Sequence, residues 1–155
     1  MEKLLKKLIL IILLFTSINS YSQFKIDQIK DVDVEMYTFV KNWVGVKYKV
    51  GGTTKKGVDC SGFSKILYKT RFGVELPRIA KEQYRATNRI DKDSLLPGDL
   101  VFFRTKTRSG WHVGIYLMNG YFVHSENHKT GVKINNLSDP YYVRTYLSGG
   151  RIQII

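Results

Sequence analysis

Leu96-Pro97-Gly98-Asp99-Leu100-Val101-Phe102-Phe103-Arg104 is where the hydrophobic period of the chain changes. Its first four residues have turn composition. Upstream, apolar residues recur at helical intervals. Residues 33–44 carry Val34, Tyr37, Phe39, Val40, Trp43 and Val44, which predicts a first helix with Gly45 placed to end it. Residues 46–54 contain Gly51-Gly52, lead on to Gly57 and read as a loop. Asp59 is a good helix N-cap, Phe63, Ile66, Leu67 and Phe72 follow at helical spacing, and Gly73 closes that helix. Pro77 opens a further helical segment over 78–86. Downstream, residues 100–104, 112–117, 121–126 and 131–137 are short and β-branched or aromatic, so they read as strands, with 151–155 as a candidate for one more. Helices first and consecutive strands afterwards predict an α+β fold, N-terminal helices packed on an antiparallel sheet, and not a parallel βαβ arrangement.

The 155 residues carry 25 Lys and Arg against 13 Asp and Glu, a formal charge of +12, with 43% hydrophobic and 13% aromatic content. That length suits one domain and excludes a large multidomain assembly. The apolar content excludes a disordered chain. A single cysteine excludes an intrachain disulfide framework and a multi-cysteine zinc site, and three histidines leave room for one small site. The basic excess points to an anionic partner: nucleic acid, an acidic membrane face, or an anionic polymer such as a bacterial wall.

Residues 1–22 narrow that choice. Lys3, Lys6 and Lys7 stand against Glu2, residues 8–15 are an unbroken apolar run, and Thr16-Ser17-Ile18-Asn19-Ser20-Tyr21-Ser22 is small and polar. This is the order of a secretory signal, and the apolar run is too short for a bilayer core of about 30 Å, which needs roughly 20 residues. A buried amphipathic helix is the alternative, but the run has no polar face. Ser20 and Ser22 occupy the small-residue positions before a cut, so a mature domain is expected at 23–155, starting at Gln23 with a charge of +10. No cysteine lies beside the cut, so no stable membrane anchor is expected after cleavage. An exported protein seldom meets nucleic acid. The expected location is periplasmic or secreted, with the basic charge available for association with the wall, and the expected state is a monomer.

The chemistry gathers at Cys60. A lone cysteine in an exported chain is a buried inert thiol, half of an intermolecular disulfide, or a reactive nucleophile. Position favours reactivity: Cys60 follows the predicted cap, so it sits in the first helical turn, where free N–H groups and the helix dipole favour a thiolate and lower the thiol pKa. Asp59 opposes this with its own charge, and a nearby imidazolium is needed for the thiolate to win. Gly57 and Gly62 are expected to leave space near the sulfur, and the Cys60 N–H is a candidate oxyanion donor. His112 begins one predicted strand and His124 lies within the next. Each is either a polar residue at a strand edge or, together, a base and its orienting partner. His128, in a polar loop, reads as solvated.

The hairpin between the histidine strands sets a geometric condition. A two-residue Asn119-Gly120 turn pairs Met118 with Tyr121 and Ile115 with His124, and His112 then faces away from His124. A three-residue loop pairs Leu117 with Tyr121 and Gly114 with His124, and the two imidazoles share a face. Turn statistics favour the first; a catalytic pair requires the second, and the three-residue loop is the expectation taken forward.

These residues also carry a resemblance. Tyr48-Lys49-Val50-Gly51-Gly52 and Gly57-Val58-Asp59-Cys60-Ser61-Gly62-Phe63 resemble the nucleophile motif of the NlpC/P60 family of peptidoglycan hydrolases. Leu76-Pro77-Arg78, Gln83, Pro97-Gly98-Asp99-Leu100-Val101-Phe102-Phe103, His112-Val113-Gly114-Ile115-Tyr116, Phe122-Val123-His124 and Pro140-Tyr141-Tyr142 follow in the family's order, over 34–152. The branch most similar is that of short, single-domain periplasmic murein endopeptidases. Lys47 stands where a proline often precedes the motif tyrosine, and Val50 where an aromatic often precedes the glycine pair; both changes bear on groove shape.

The resemblance implies a papain-like α+β fold, with Cys60 as nucleophile, His112 as general base and then acid, and His124 as the residue orienting the imidazole. It implies that Tyr48 lines the site and that Asp59 and Ser61 help hold a stem peptide. Arg78 either faces the groove or is a solvated arginine. No metal or cofactor is implied. The partner implied is the peptidoglycan stem peptide, cut at D-Ala–diaminopimelate or, next, at γ-D-glutamyl–diaminopimelate. The rivals are an amidase or acyltransferase on the same scaffold and a non-catalytic wall-binding module.

Overall fold

A computed structural model describes residues 33–107 and 109–152, so the signal-like segment lies outside the described residues. Helix α1 (Val34–Trp43) starts where Asp33 accepts from the N–H groups of Glu35 and Met36, at 3.1 and 3.0 Å. This satisfies donors that a helix start leaves unpaired. Its buried face is Met36, Val40 and Trp43. A small hairpin follows, β1 (Thr53–Thr54) and β2 (Gly57–Val58), inside the segment expected to be loop. Helix α2 (Cys60–Phe72) is capped by Asp59 and closed by Gly73, as expected. Only residues Ala80–Arg85 of the third predicted helical segment are α-helical (α3).

The strands are β3 (Asn88–Ile90), β4 (Leu100–Arg104), β5 (Trp111–Met118), β6 (Tyr121–Ser125), β7 (Val132–Asn136) and β8 (Tyr146–Arg151), with α4 (Pro140–Thr145) before the last. They form one sheet in the order β3-β8-β4-β5-β6-β7, antiparallel at every pairing. The α+β expectation holds. Strand β8 ends at Arg151, and residues 153–155 of the last expected strand lie outside the described residues. Ser148-Gly149-Gly150 has breaker composition, but Leu95 and Phe102 fill the places where Cβ atoms would project from the two glycines. Packing against bare backbone overrides the local preference.

Strand β4 is the centre of the molecule. Leu100, Val101, Phe102 and Phe103 are all fully buried. Leu100 and Phe102 face a core built with Phe63, Leu67, Val40 and Val113; Val101 and Phe103 face a second core with Leu95, Phe122, Leu137 and Tyr142. Burial on both faces explains an unbroken apolar run in an antiparallel sheet. The turn before β4 is held by Asp99, which accepts from the Leu96 N–H at 2.7 Å and pairs with Arg151 at 2.7 and 2.8 Å. Tyr68 on α2 donates to the Gly98 carbonyl at 2.6 Å, tying that turn to the central helix.

The histidine hairpin reaches the catalytic register by a different route from the one expected. The turn is the tight one: Met118 pairs with Tyr121, and Asn119 and Gly120 both have positive φ, 51° and 80°. That is the backbone a two-residue hairpin turn demands. A bulge at Leu117 then shifts the ladder, so Tyr116 pairs with Phe122 and Ile115 with Val123. Leu117 is 1% exposed, and burial of its side chain favours accommodating the extra residue there. The shift does what a longer loop would have done and returns His112 and His124 to one face.

Phe63 is fully buried on α2, 5.8 Å from the Trp43 ring and 5.9 Å from that of Phe39. Phe63→Ala is expected to cost about 3–5 kcal/mol, read as a lower urea midpoint with unchanged slope.

Candidate active site

Cys60 is the first residue of α2, 9% exposed. The backbone N–H groups of Val113, Ser61 and Cys60 itself act to lower the thiol pKa. The Val113 contact places the start of α2 against β5, one residue beyond His112. The His112 ring is half-buried beside Phe103, and its Nε2 meets Nδ1 of His124 at 2.6 Å, the rings nearly perpendicular at 81°. His124 is fully buried, and its Nε2 faces Asn135 Oδ1 at 3.1 Å and the Tyr142 hydroxyl at 3.4 Å.

The electrostatics correct one sequence-based expectation. Burial pushes the Cys60 thiol up to about 11; the Asp59 charge adds to this, and the surrounding N–H groups offset only part of it. The helix start does favour the thiolate, but desolvation outweighs it. Burial also holds both imidazoles below their ordinary range. For His112 the neighbouring His124 lowers it further while Glu126 opposes; for His124 the Asn135 hydrogen bond opposes and the Lys133 charge adds. Burial therefore favours a neutral thiol and neutral imidazoles over an ion pair.

Asp59 is the second centre. Its Oδ1 accepts the Gly62 N–H at 2.7 Å and its Oδ2 the Gly51 N–H at 2.7 Å. Arg78 clasps both oxygens, Nη1 on Oδ1 at 3.0 Å and Nη2 on Oδ2 at 2.7 Å, and Nη1 also donates to Ser61 Oγ at 3.1 Å. Arg78 is thus held by Asp59 and Ser61 while its side chain stays 36% exposed. Gln83 donates to the carbonyls of Ser61 and Pro77, both at 2.9 Å, and pins the Arg78 segment to α2. The bare Cα of Gly62 makes room for backbone, not substrate: a Cβ there would lie 2.3 Å from the Gly52 carbonyl oxygen. Gly57 likewise faces the Lys49 side chain.

Tyr48 bridges to Val58 and is half-buried. Burial raises its phenol, with further contributions from the Cys60 and Asp59 charges, so it shares the electrostatic environment of the site. His128 is exposed, as expected, yet its ring packs edge-on against Tyr48 with centroids 4.8 Å apart. The structure therefore gathers Tyr48, Asp59, Cys60, Ser61 and Arg78 around the start of α2, and it joins His112 to His124 beside them.

The sequence model of the NlpC/P60 family matches residues 45–151. The chain belongs to the NlpC/P60 family. It is 42% identical over 120 residues to a probable endopeptidase NlpC homolog of Haemophilus influenzae, covering 77% of this chain and 63% of that protein. It is 40% identical over 126 residues to an Escherichia coli protein named murein DD-endopeptidase MepS/murein LD-carboxypeptidase, covering 80% of this chain and 66% of that one. The chain thus spans about two thirds of the length of these curated relatives. Among solved structures, an NlpC/P60 family protein from Bacillus cereus superposes with a TM-score of 0.68 at 34% identity, over 75% of this chain and 38% of that one.

In this NlpC/P60 chain several site residues escaped sequence reasoning. Asn135 needed the β6–β7 register, in which His124 pairs with Lys133 and Asn135 becomes a same-face diagonal neighbour. Glu126 lies two residues beyond His124, so strand parity was an available signal. Tyr142 was visible only as part of a motif.

Cys60 is the only thiol, so alkylation reports on it alone. Its reaction with iodoacetamide is expected to be slow near pH about 6 and to keep accelerating above the ordinary thiol value of about 8.5. A rate already level by pH about 6 identifies a resting thiolate and overturns the neutral-pair reading.

Proposed function

We propose that this chain is a peptidoglycan hydrolase, a thiol endopeptidase cutting murein stem peptides or their crosslinks. One observation carries the reading: Cys60 opens α2, the backbone of Val113 acts on its thiol, and His112, the residue before Val113, is bonded at 2.6 Å to His124. The resting thiol is neutral, so its proton moves to His112 Nδ1 as sulfur attacks the peptide carbonyl carbon. The Cys60 N–H and a neighbouring donor hold the resulting oxyanion. Collapse breaks the C–N bond, and His112 gives its proton to the leaving amine. Water, deprotonated by His112, then attacks the thioester, and the C–S bond breaks to regenerate the thiol. No step requires a metal or cofactor.

His124 orients the His112 ring in this scheme. Tyr48 and Ser61 line the groove. Asp59 already receives Gly51, Gly62 and Arg78, so it acts on substrate through the loop and side chains it holds. D-Ala–diaminopimelate is the favoured bond, in keeping with the DD-endopeptidase name of the Escherichia coli relative, and γ-D-glutamyl–diaminopimelate is the next. The proposed place of action is outside the cytoplasm after removal of residues 1–22, as a monomer, with the remaining charge of +10 favouring retention on an anionic wall. No helix among the described residues is long and apolar enough to cross a membrane.

The test is mass analysis of muropeptides after incubating peptidoglycan with the purified protein, beside Cys60→Ala and His112→Ala. Loss of crosslinked dimers with tetrapeptide monomers appearing is expected with wild type only, and each variant is expected to fall by about 1,000-fold or more. Diaminopimelate-containing dipeptides would move the cut to the γ-D-glutamyl bond. Stem peptides freed from muramic acid would make the protein an amidase. Binding to the wall without any Cys60-dependent product would overturn the hydrolase reading.

A further inference from the structure

Behind the histidine pair lies a hydrogen-bonded group that the thiol scheme does not use. The Tyr142 hydroxyl, on α4, donates to Glu126 Oε1 at 2.6 Å. The other carboxylate oxygen accepts from Thr130 at 2.6 Å and Asn127 at 3.1 Å, with Lys133 Nζ at 3.7 Å. Burial acts to raise the Glu126 carboxyl, but the Thr130 and Tyr142 hydrogen bonds, with the Lys133 charge, hold it below its ordinary value. Glu126 is therefore an ionised acceptor.

The direction of every bond in the series then follows. A carboxylate can only accept, so Tyr142 spends its proton on Glu126 and turns lone pairs to His124 Nε2. Asn135 presents its Oδ1 to the same nitrogen, an orientation consistent with its Nδ2 donating to Asp139 at 3.4 Å. Two acceptors face Nε2, so Nε2 carries the proton of the neutral ring. Nδ1 of His124 is then a lone pair, and it accepts from Nε2–H of His112 across 2.6 Å. What remains on His112 is an unprotonated Nδ1.

We propose that Tyr142 and Glu126 are positioning residues that hold His124 and, through it, His112 in the tautomers that leave His112 Nδ1 free as the base for Cys60, with Glu126 balancing the imidazolium when it forms. The proposal rests on the thiol-hydrolase reading only for its kinetic consequence; the tautomer statement stands on geometry. Other groups face the pair. The Phe103 ring comes from β4 and Lys133 and Asn135 from β7, while on β5 the Val113 backbone next to His112 acts on the Cys60 thiol of α2. Lys133 opposes a charged His124, and Glu126 is the group that favours a charged His112. Because Tyr142 also packs on Phe103 and Phe122, Tyr142→Phe keeps the ring and removes only the hydroxyl.

Nitrogen-15 spectra of the three imidazoles in the full chain test the tautomers directly. Expected are Nε2–H with a bare Nδ1 on both His112 and His124 in wild type, and tautomer mixtures in Tyr142→Phe and Glu126→Gln. In muropeptide cleavage, Tyr142→Phe is expected to lower kcat by about 10- to 100-fold with KM unchanged, because the wrong tautomer offers no base. Glu126→Gln removes the charge, so the acid limb of kcat/KM is expected to move to lower pH, and Glu126→Asp to restore part of the wild-type profile. A proton on His112 Nδ1 in wild type overturns the proposal, as do wild-type kcat and pH profile in both variants. If no Cys60-dependent cleavage is found, the hydrolase reading fails, and the spectra alone decide the tautomer arrangement.

Discussion

The Asp59 carboxylate accepts from Gly51, Gly62 and Arg78 within 3.0 Å, and the placement of the nucleophile depends on that convergence. The Gly62 bond starts α2, and so fixes Cys60 in the first turn. The Gly51 bond draws the preceding loop onto the helix, and the bare Cα of Gly62 lets the Gly52 carbonyl come close. Arg78 brings in the segment before α3, which Gln83 locks from beneath. A partly buried ion pair is weak evidence of net stabilisation, because desolvation of Asp59 offsets much of the attraction. Its value here is geometric: a single acceptor fixes three separate parts of the chain around one sulfur.

The same burial sets the chemical state of the site. Strand β4 is covered on both faces, and β5 and β6 beside it carry His112, half-buried, and His124, fully buried. A low-dielectric setting penalises any isolated charge, so the thiol rises and the imidazoles fall. Charge then develops only when bonds rearrange, and the groups that meet it must already be aimed. Backbone N–H groups of Val113 and Ser61 favour charge on the sulfur, and the histidine pair ends in a carboxylate fixed by Tyr142 and Thr130. Pre-aimed dipoles cost no reorganisation at the moment of reaction, which is why such sites are built in rigid sheet and helix ends.

Much of this was legible in the residues. Asp59 and Gly73 bound α2 because a side-chain acceptor and a left-handed glycine are local devices, readable without any distant partner. The limits of β4 were legible because an apolar run bounded by Pro97-Gly98-Asp99 and Arg104 has few alternatives. Cys60, His112 and His124 stood out as the rare chemistry-bearing residues of an otherwise ordinary basic domain. Strand β8 was not legible, since its Gly149-Gly150 backbone is extended only because Leu95 and Phe102 pack on it. The thiol pKa was missed for a related reason: a helix dipole is local, whereas desolvation is a property of everything packed around the sulfur.

The sequence by itself determined the α+β class, the helix that presents Cys60, and the identity of the residues gathered about it. Each follows from periodicity, capping chemistry or a motif, all of which act within a few residues. Only the tertiary structure decided that His112 and His124 meet. The Asn119-Gly120 turn alone sends them to opposite faces, and a bulge at Leu117, a residue buried in the core, reverses this. Strand parity has a period of two, so one extra residue inverts every side chain beyond it, and no local preference announces where a packed core will insert one.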